Sequence, residues 1–294
     1  DKQFDNIWVQ PASGDAGGAL GCALDAYYNY LNKPRYVNLN SSVKKDSMRG
    51  SYLGPSFSEN EIETALDKNG AVFEKISDDK KFIDIVSDNL MNGFAVGWFQ
   101  GAMEFGPRAL GGRSILASPL KDDMQKKLNL KVKFRESFRP FAPAILENDV
   151  EQWFEFNDKS PYMLMVANLR EKHKITLTKE QEKLFGIEKL NLKRSKVPAI
   201  THVDYSARIQ TVGPNDNKIY YDLLKEFKKK TGCPILVNTS FNIRGEPIVN
   251  SPKDAFNCFM GTELDLLAIG PFILYKSKQN PNLLTDYKNK FSLD

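Results

Sequence analysis

Histidine and cysteine are scarce in this chain, two of one and three of the other among 294 residues. His173 and His202 stand far apart, no C-x-x-C pair occurs, and Cys22, Cys233 and Cys258 are widely spaced. Such a chain cannot by itself assemble a conventional zinc site or a disulfide framework. An odd number of scattered thiols fits the reduced cysteines of a cytoplasmic protein, most of them bystanders in the core. No apolar run approaches the roughly 20 residues that cross a bilayer. The first ten residues lack the basic flank, apolar centre and cleavage site of a secretory signal. Repeats of fixed period and low-complexity tracts are missing too. A hydrolase triad is excluded on similar grounds: His202, Asp204 and Ser206 alternate along one extended segment without a nucleophile elbow, and alternate strand residues share a face without touching as a triad must. Charge of one sign is not in large excess, since 41 basic against 37 acidic residues leave only +4. That balance does not call for a nucleic-acid partner.

What is present is a globular composition, 41 % hydrophobic, sufficient for a large core. Against it stand several local concentrations of chemistry. From Trp98 to Pro119 an apolar strand opens into a glycine-rich turn, W-F-Q-G-A-M-E-F-G-P-R-A-L-G-G-R. Gly101, Gly106, Gly111 and Gly112 let backbone approach a ligand, Arg108 offers a planar donor to an anion, and Arg113 supports it. In K-V-K-F-R-E-S-F-R-P-F-A-P, Lys133, Arg135 and Arg139 alternate with Phe134, Phe138 and Phe141. Three cations with only Glu136 between them repel one another unless an anion neutralises them. The segment P-A-I-T-H-V-D-Y-S-A-R-I-Q-T-V is extended, with His202, Asp204, Ser206 and Arg208 expected along a polar face and Val203, Ala207 and Ile209 turned to the core. A short strand, Pro234 to Val237, delivers Asn238, Thr239, Ser240 and Asn242, neutral donors suited to phosphate or carbonyl oxygens at a strand end.

The remaining pattern supplies a scaffold. Asn6 to Gln10 is a strand candidate, followed by a small-residue turn and a helix ending near Leu31, with Asp15 free to bind a metal or a ligand hydroxyl. Lys33 to Gly54 reads as a linker. Ser58 and Glu61 form a capping box for a helix through Leu66. Phe82, Ile83, Ile85, Val86 and Leu90 share a helical side, and Phe94 to Phe99 is a strand. Ser118-Pro119 predicts a helix over Leu120 to Leu130. Strands are expected over Ala142 to Leu146 and Tyr162 to Ala167. The charged stretch Glu171 to Val197 reads as an insertion or lid, with His173 solvated and a short helix capped by Thr178 and Gln181. Helices over Ile219 to Thr231 and after Ser251-Pro252, a strand Leu266 to Tyr275 broken at Gly270-Pro271, and a frayed polar tail after Lys276 complete the chain. The lysines Lys228 to Lys230 read as a solvated face.

Taken together, Q-P-A-S-G-D-A-G, G-A-M-E-F-G-P-R-A-L-G-G-R-S-I-L, K-F-R-E-S-F-R-P-F-A-P, H-V-D-Y-S-A-R-I-Q and N-T-S-F-N-I-R-G-E-P-I-V resemble the O-carbamoyltransferase family. That family includes nodulation-factor, cephamycin, novobiocin and tobramycin carbamoyltransferases. The resemblance implies an α/β protein: a YrdC-like twisted mixed sheet with flanking helices over residues 55–294, preceded over 1–54 by the end of an actin-like ATPase (ASKHA-type) domain. It also implies binding of carbamoyl phosphate and ATP, with Mg²⁺ on the nucleotide phosphates, and formation of carbamoyl-adenylate for O-carbamoylation of a small-molecule or sugar hydroxyl. The family's anion-site positions fall on Arg108, Lys133, Arg139, Arg208 and Ser240, with Asn242 and Glu104 as weaker matches. Lys133, Arg139 and Arg108 carry the catalytic role. Asp15 matches an iron-binding aspartate of the ASKHA-type part, but the accompanying H-x-x-x-H pair is missing, so a preceding portion or a partner chain is expected to complete the transfer site. Two alternatives remain open, a threonylcarbamoyl-adenylate synthase-like enzyme and an RNA-binding YrdC-like module without turnover. Neither a membrane nor, in the leading reading, a nucleic acid is an expected partner.

Overall fold

A computed structural model describes residues 9–36, 48–190 and 192–291. Most of the strand expected at Asn6 to Gln10 and much of the linker at Lys33 to Gly54 lie outside those residues; Val9 and Gln10, which are described, are not in a strand. Helix α1 (Asp15–Asp25) runs into a π-helical turn, Ala26–Tyr30, near the expected end. Then follow α2 (Glu59–Lys68), β1 (Glu74–Lys75), α3 (Asp79–Met91), β2 (Val96–Phe99), β3 (Arg113–Ala117), α4 (Met124–Lys127), β4 (Ala142–Leu146), α5 (Val150–Trp153), β5 (Met165–Asn168), α6 (Lys179–Glu182), α7 (Gly186–Leu190), β6 (Ser206–Val212), α8 (Lys218–Thr231), β7 (Ile235–Ser240), α9 (Pro252–Gly261), β8 (Leu266–Ile269) and β9 (Phe272–Tyr275).

The strands form one mixed sheet in the order β1-β9-β8-β2-β3-β7-β4-β6-β5. The β2–β8 and β4–β6 pairs are parallel and the others antiparallel. The four strands β2, β3, β4 and β8 are buried at every position, and all but β3, which opens on Arg113 and Ser114, read as apolar runs rather than alternations. Helices α3 and α8 pack on each other, as do α2 and α9. Phe82 of α3 and Tyr220 of α8 both approach the Trp98 ring of β2, with centroids 6.0 and 6.4 Å away.

Local chemistry explains most boundaries. Ser58 and Glu61 bond reciprocally at the start of α2, Thr178 and Gln181 at α6, and Ser251 and Asp254 at α9. Gly232 ends α8 in the left-handed conformation, φ 75°. Four expectations need correction. The helix after Ser118 begins only at Met124, because the Ser118 hydroxyl accepts from the Leu120 amide in a local turn rather than capping a helix. β3 was hidden behind its glycine-rich approach. β5 starts three residues later than expected, because Met163 adopts φ 55° and interrupts an extended run. Between His202 and Tyr205 the chain turns, with Tyr205 at φ 65° and Val203 exposed, so the alternation of polar and core residues holds only from Ser206 onward.

Burial also reverses three assignments. His173 is buried, its ring stacked on Trp153 at 3.8 Å with a 2° interplanar angle and its Nε2 3.1 Å from the Gln152 carbonyl oxygen. Of the lysines read as a solvated face, Lys229 is exposed, whereas Lys228, itself half-exposed, meets the buried carboxylate of Asp149 and Lys230 bonds Asp84 and Asp88. The segment after β9 packs back on the core: Gln279 exchanges two hydrogen bonds with the Val72 backbone and Tyr287 is buried. The cysteines divide, Cys233 and Cys258 buried and Cys22 exposed.

Candidate anion-binding site

The glycine-rich loop between β2 and β3 is built inward. Buried Glu104 accepts from the backbone N–H of Leu110 at 2.6 Å, Gly112 at 2.7 Å and Arg113 at 3.2 Å. The Gly111 amide goes to the Ser114 hydroxyl at 3.0 Å. These amides are therefore committed to protein oxygens, so the expected backbone approach is corrected at Gly111 and Gly112, and Glu104 serves the loop rather than a ligand. The carbonyls are fixed as well: Ala109 by Asn238, Leu110 by Tyr52 and Gln210, and Gly111 by the Trp98 indole. Gly111 has φ 109°, and a Cβ there would lie 2.4 Å from the Tyr220 ring, so only glycine fits. Arg113 is fully buried, donates to the carbonyls of Gly101, Gly112 and Pro55, and lies 3.5 Å over the Phe99 ring. Burial lowers its pKa to about 10. It supports the loop, as expected.

What this frame presents outward is Arg108. Arg208 lies near enough for the Arg108 charge to depress its pKa, after desolvation, the larger cause. The Nε of each guanidinium is buried without a hydrogen-bond partner among the described residues, where Arg208 donates only to the Met163 sulfur at 3.9 Å. Two adjacent guanidiniums with no carboxylate pairing them among the described residues are unfavourable until an anion arrives.

A second group forms where β7 ends. Lys133 is 4 % exposed, and its ammonium donates to the Ser240 carbonyl at 2.5 Å and hydroxyl at 3.1 Å and to the Asn242 carbonyl at 2.8 Å and side-chain oxygen at 2.7 Å. All four acceptors are neutral. Burial, followed by the charge of Arg135, lowers the Lys133 pKa to about 7. The chain reaches this position through a π-helical turn, Leu128–Val132, and leaves it through Phe134 at φ 48°, a costly conformation for a bulky residue. Lys133 lines a cleft of ≈ 460 Å³ with Arg135, Arg139, Ser240, Asn242 and Arg244. Glu136 is shared between Arg139 at 2.9 Å and Arg244 at 3.1 Å. Arg135 donates to Asn129 and lies 5.0 Å over Phe141, and its pKa falls to about 10 through burial and Arg139.

Sheet register relates the two groups. Ser240 lies opposite Ser114, Asn238 opposite Ala142, and Ala144 opposite Gln210, so these side chains share one face. Extending the parallel β4–β6 register by one pleat sets Arg208 level with Ala142 and Asn238. With strands about 4.8 Å apart and a rise of about 3.4 Å per residue, the Cα atoms of Arg208 and Ser240 are roughly 12 Å apart. An amide bridge crosses the intervening strand: the Asn238 side chain donates to the Gln210 side-chain oxygen at 2.7 Å, passing over the methyl groups of Ala142 and Ala144. Lys133, Ser240, Asn242 and Arg139 thus gather at one cleft, with Arg108 and Arg208 as a neighbouring pair at the same end of the sheet. Asp15 is exposed in the first turn of α1. No group of three or more His, Cys, Asp or Glu residues placed to hold a metal occurs among the described residues; Asp15 alone does not fit an iron, and no step is derived through one.

Sequence reasoning missed Arg244 as a cleft residue and gave Gln210 no role. The first carries a visible signal, a cation directly after N-T-S-F-N-I, whereas the second depends on register alone.

The fold and site define an α/β protein with a converging, under-neutralised set of cations at a sheet end. The Carbamoyltransferase C-terminus family model matches residues 87–276, and the chain belongs to the carbamoyltransferase family. It is 55 % identical to an uncharacterized protein of Synechocystis over the whole of this chain and 47 % of that protein. It is 41 % identical to nodulation protein NolO of Bradyrhizobium diazoefficiens (93 % of this chain, 45 % of that one). With 3'-hydroxymethylcephem-O-carbamoyltransferase of Amycolatopsis lactamdurans it shares 32 % identity over 85 % of this chain and 40 % of that protein. The chain spans about half or less of the length of these relatives. Among solved structures, full-length HypF in its phosphate- and nucleotide-bound form matches 63 % of this chain and 20 % of its own, at 18 % identity and a TM-score of 0.38, too distant to carry an argument. No helix among the described residues is long and apolar enough to cross a membrane.

Proposed function

We propose that this chain binds carbamoyl phosphate and ATP and forms carbamoyl-adenylate, which an O-carbamoyltransferase then uses to modify a hydroxyl of a sugar or other small molecule. The observation that carries the reading is Lys133, a buried ammonium held by four neutral oxygens beside Arg135 and Arg139. Glu246 offsets part of the positive charge of this cleft, and a phosphate anion would supply the rest. Water cleaves carbamoyl phosphate to carbamate and inorganic phosphate; a carbamate oxygen then attacks the α-phosphorus of ATP, and the bond to pyrophosphate breaks. Both steps build charge on non-bridging oxygens, where fixed cations lower the barrier. Lys133, Arg139 and Arg108 act catalytically by holding that charge, while Arg208, Ser240 and Asn242 bind and orient. Mg²⁺ enters with the nucleotide and partly neutralises its phosphates.

In this reading residues 55–294 form a YrdC-like unit and residues 1–54 the end of an ASKHA-type part that carries Asp15. Convergence of the cations into a cleft, rather than along a ridge, favours a compact anion over a long RNA. The test is carbamoyl-phosphate-dependent release of pyrophosphate from ATP by the purified protein, together with titration by carbamoyl phosphate alone. Loss of both on Arg139→Ala is expected. Pyrophosphate release that instead requires threonine and bicarbonate would move the assignment to a threonylcarbamoyl-adenylate synthase, and steeply salt-dependent RNA binding without turnover would refute the enzyme.

A further inference from the structure

The cleft is closed from behind by a part of the chain that belongs to none of its motifs. Asn242, which fixes Lys133 through two oxygens, is itself held by its side-chain N–H donating to the Glu246 carbonyl at 2.6 Å. The Glu246 carboxylate, 8 % exposed, folds back to accept from the Ile243 amide at 2.9 Å. Its other oxygen accepts from the Tyr287 hydroxyl at 2.5 Å. No lysine or arginine forms an ion pair with Glu246 among the described residues; besides these two hydrogen bonds, the Cys258 side chain bonds it and the Lys133 charge lies near enough to interact with it. Tyr287 lies beyond the last strand and is 3 % exposed. Its ring is seated on Gly261 at the end of α9, where a Cβ would stand 2.2 Å from that of Tyr287, and it meets Phe291 edge-on at 5.5 Å.

We propose that Tyr287 is a positioning residue for the anion site, acting through Glu246 to hold the 242–247 loop in the shape that lets Asn242 and Ser240 present Lys133 to a phosphate. The inference rests on the anion-binding reading above. The phenol is required because a buried carboxylate oxygen that loses its donor seeks another, and the nearest adjustment is a shift of the loop that forms the cleft wall. Phenylalanine keeps the ring against Gly261 and removes only that donor.

The experiment compares carbamoyl phosphate and inorganic phosphate binding by calorimetry in the wild-type protein, Tyr287→Phe, Glu246→Leu, the double variant and Gln279→Ala. Gln279→Ala releases the same segment at its distant anchor on Val72 and controls for stability. Tyr287→Phe is expected to weaken both anions about 10-fold. The same substitution in the Glu246→Leu background should weaken them no further, and Gln279→Ala should leave affinity within about 2-fold while lowering the melting temperature. Equal losses in Tyr287→Phe and Gln279→Ala, or wild-type affinity in Tyr287→Phe, overturn the inference. If the wild-type protein binds neither anion, the functional reading fails instead, a distinguishable result. Should Tyr287→Phe fail to fold, Glu246→Gln replaces it, with the same expected loss and the same overturning result.

Discussion

On the proposed function, the Lys133 ammonium should make phosphate affinity a function of pH. Its ordinary pKa of 10.5 is lowered to about 7, so the free protein carries this charge fully only below that value. A bound phosphate supplies the counter-charge and raises the pKa, so binding above pH 7 takes up a proton. Affinity for carbamoyl phosphate should therefore be level up to about pH 7. It should then weaken tenfold per pH unit, reaching about 100-fold, or ~2.7 kcal/mol, by pH 9. Protonation of the ligand itself, near pH 6 for phosphate esters, sets the lower limit of the window. Folding of the unliganded protein responds oppositely. Between about pH 7 and 10.5 the unfolded lysine holds a proton that the folded one does not, so this group adds stability as pH rises. Calorimetry between pH 6.5 and 9 in buffers of different ionisation enthalpy reads both the affinity and the proton uptake. Lys133→Met should lower affinity at pH 6.5 by about 30- to 150-fold, the value of a charged hydrogen bond of ~2–3 kcal/mol, and should remove the slope. A level profile in the wild-type protein, or an unchanged slope in Lys133→Met, would refute the reasoning.

Three further outcomes follow from the frame around the site. Arg108→Ala and Arg208→Ala should each weaken carbamoyl phosphate or ATP binding by about 10- to 100-fold. Because the two guanidiniums repel each other, a double-mutant cycle should show non-additive losses. Gly111→Ala forces a Cβ to within 2.4 Å of the Tyr220 ring at a φ of 109°. It should lower stability by ~2 kcal/mol or more in denaturant unfolding. Glu104→Ala leaves the amides of Leu110, Gly112 and Arg113 without their shared acceptor. Thermal unfolding should record a loss of ~3 kcal/mol or more, and anion affinity should fall because Arg108 loses its frame.

Much of this arrangement was legible in sequence, for reasons that differ between elements. Capping boxes at Ser58–Glu61 and Thr178–Gln181 are local, so four consecutive residues suffice to read them. Crowded cations are also readable, because like charges at 133, 135 and 139 need an explanation wherever they occur. The strand β3 was not legible, since its first residue is an arginine and only tertiary packing reveals that Arg113 is buried over Phe99. Glu104 looked like a ligand contact because an acid in a glycine loop gives no sign of which amides it will reach. Tyr287 sat in a polar stretch, and its partner Glu246 lies 41 positions away. Burial of His173 depends on Trp153, twenty residues earlier in another element.

The amide bridge from Asn238 to Gln210 has a consequence for what the site can accept. It spans β4 because Ala142 and Ala144 raise no more than methyl groups beneath it, and the backbone separation of Arg208 and Ser240 is then set by two inter-strand steps and two residues of rise. Loop motion cannot adjust those two strand positions, although Arg108 and Lys133 stand on loops beside them. In the proposed function, a ligand bridging Arg208 and Ser240 would have to match that separation. A larger side chain at Ala142 would change the gauge without touching a single charged residue.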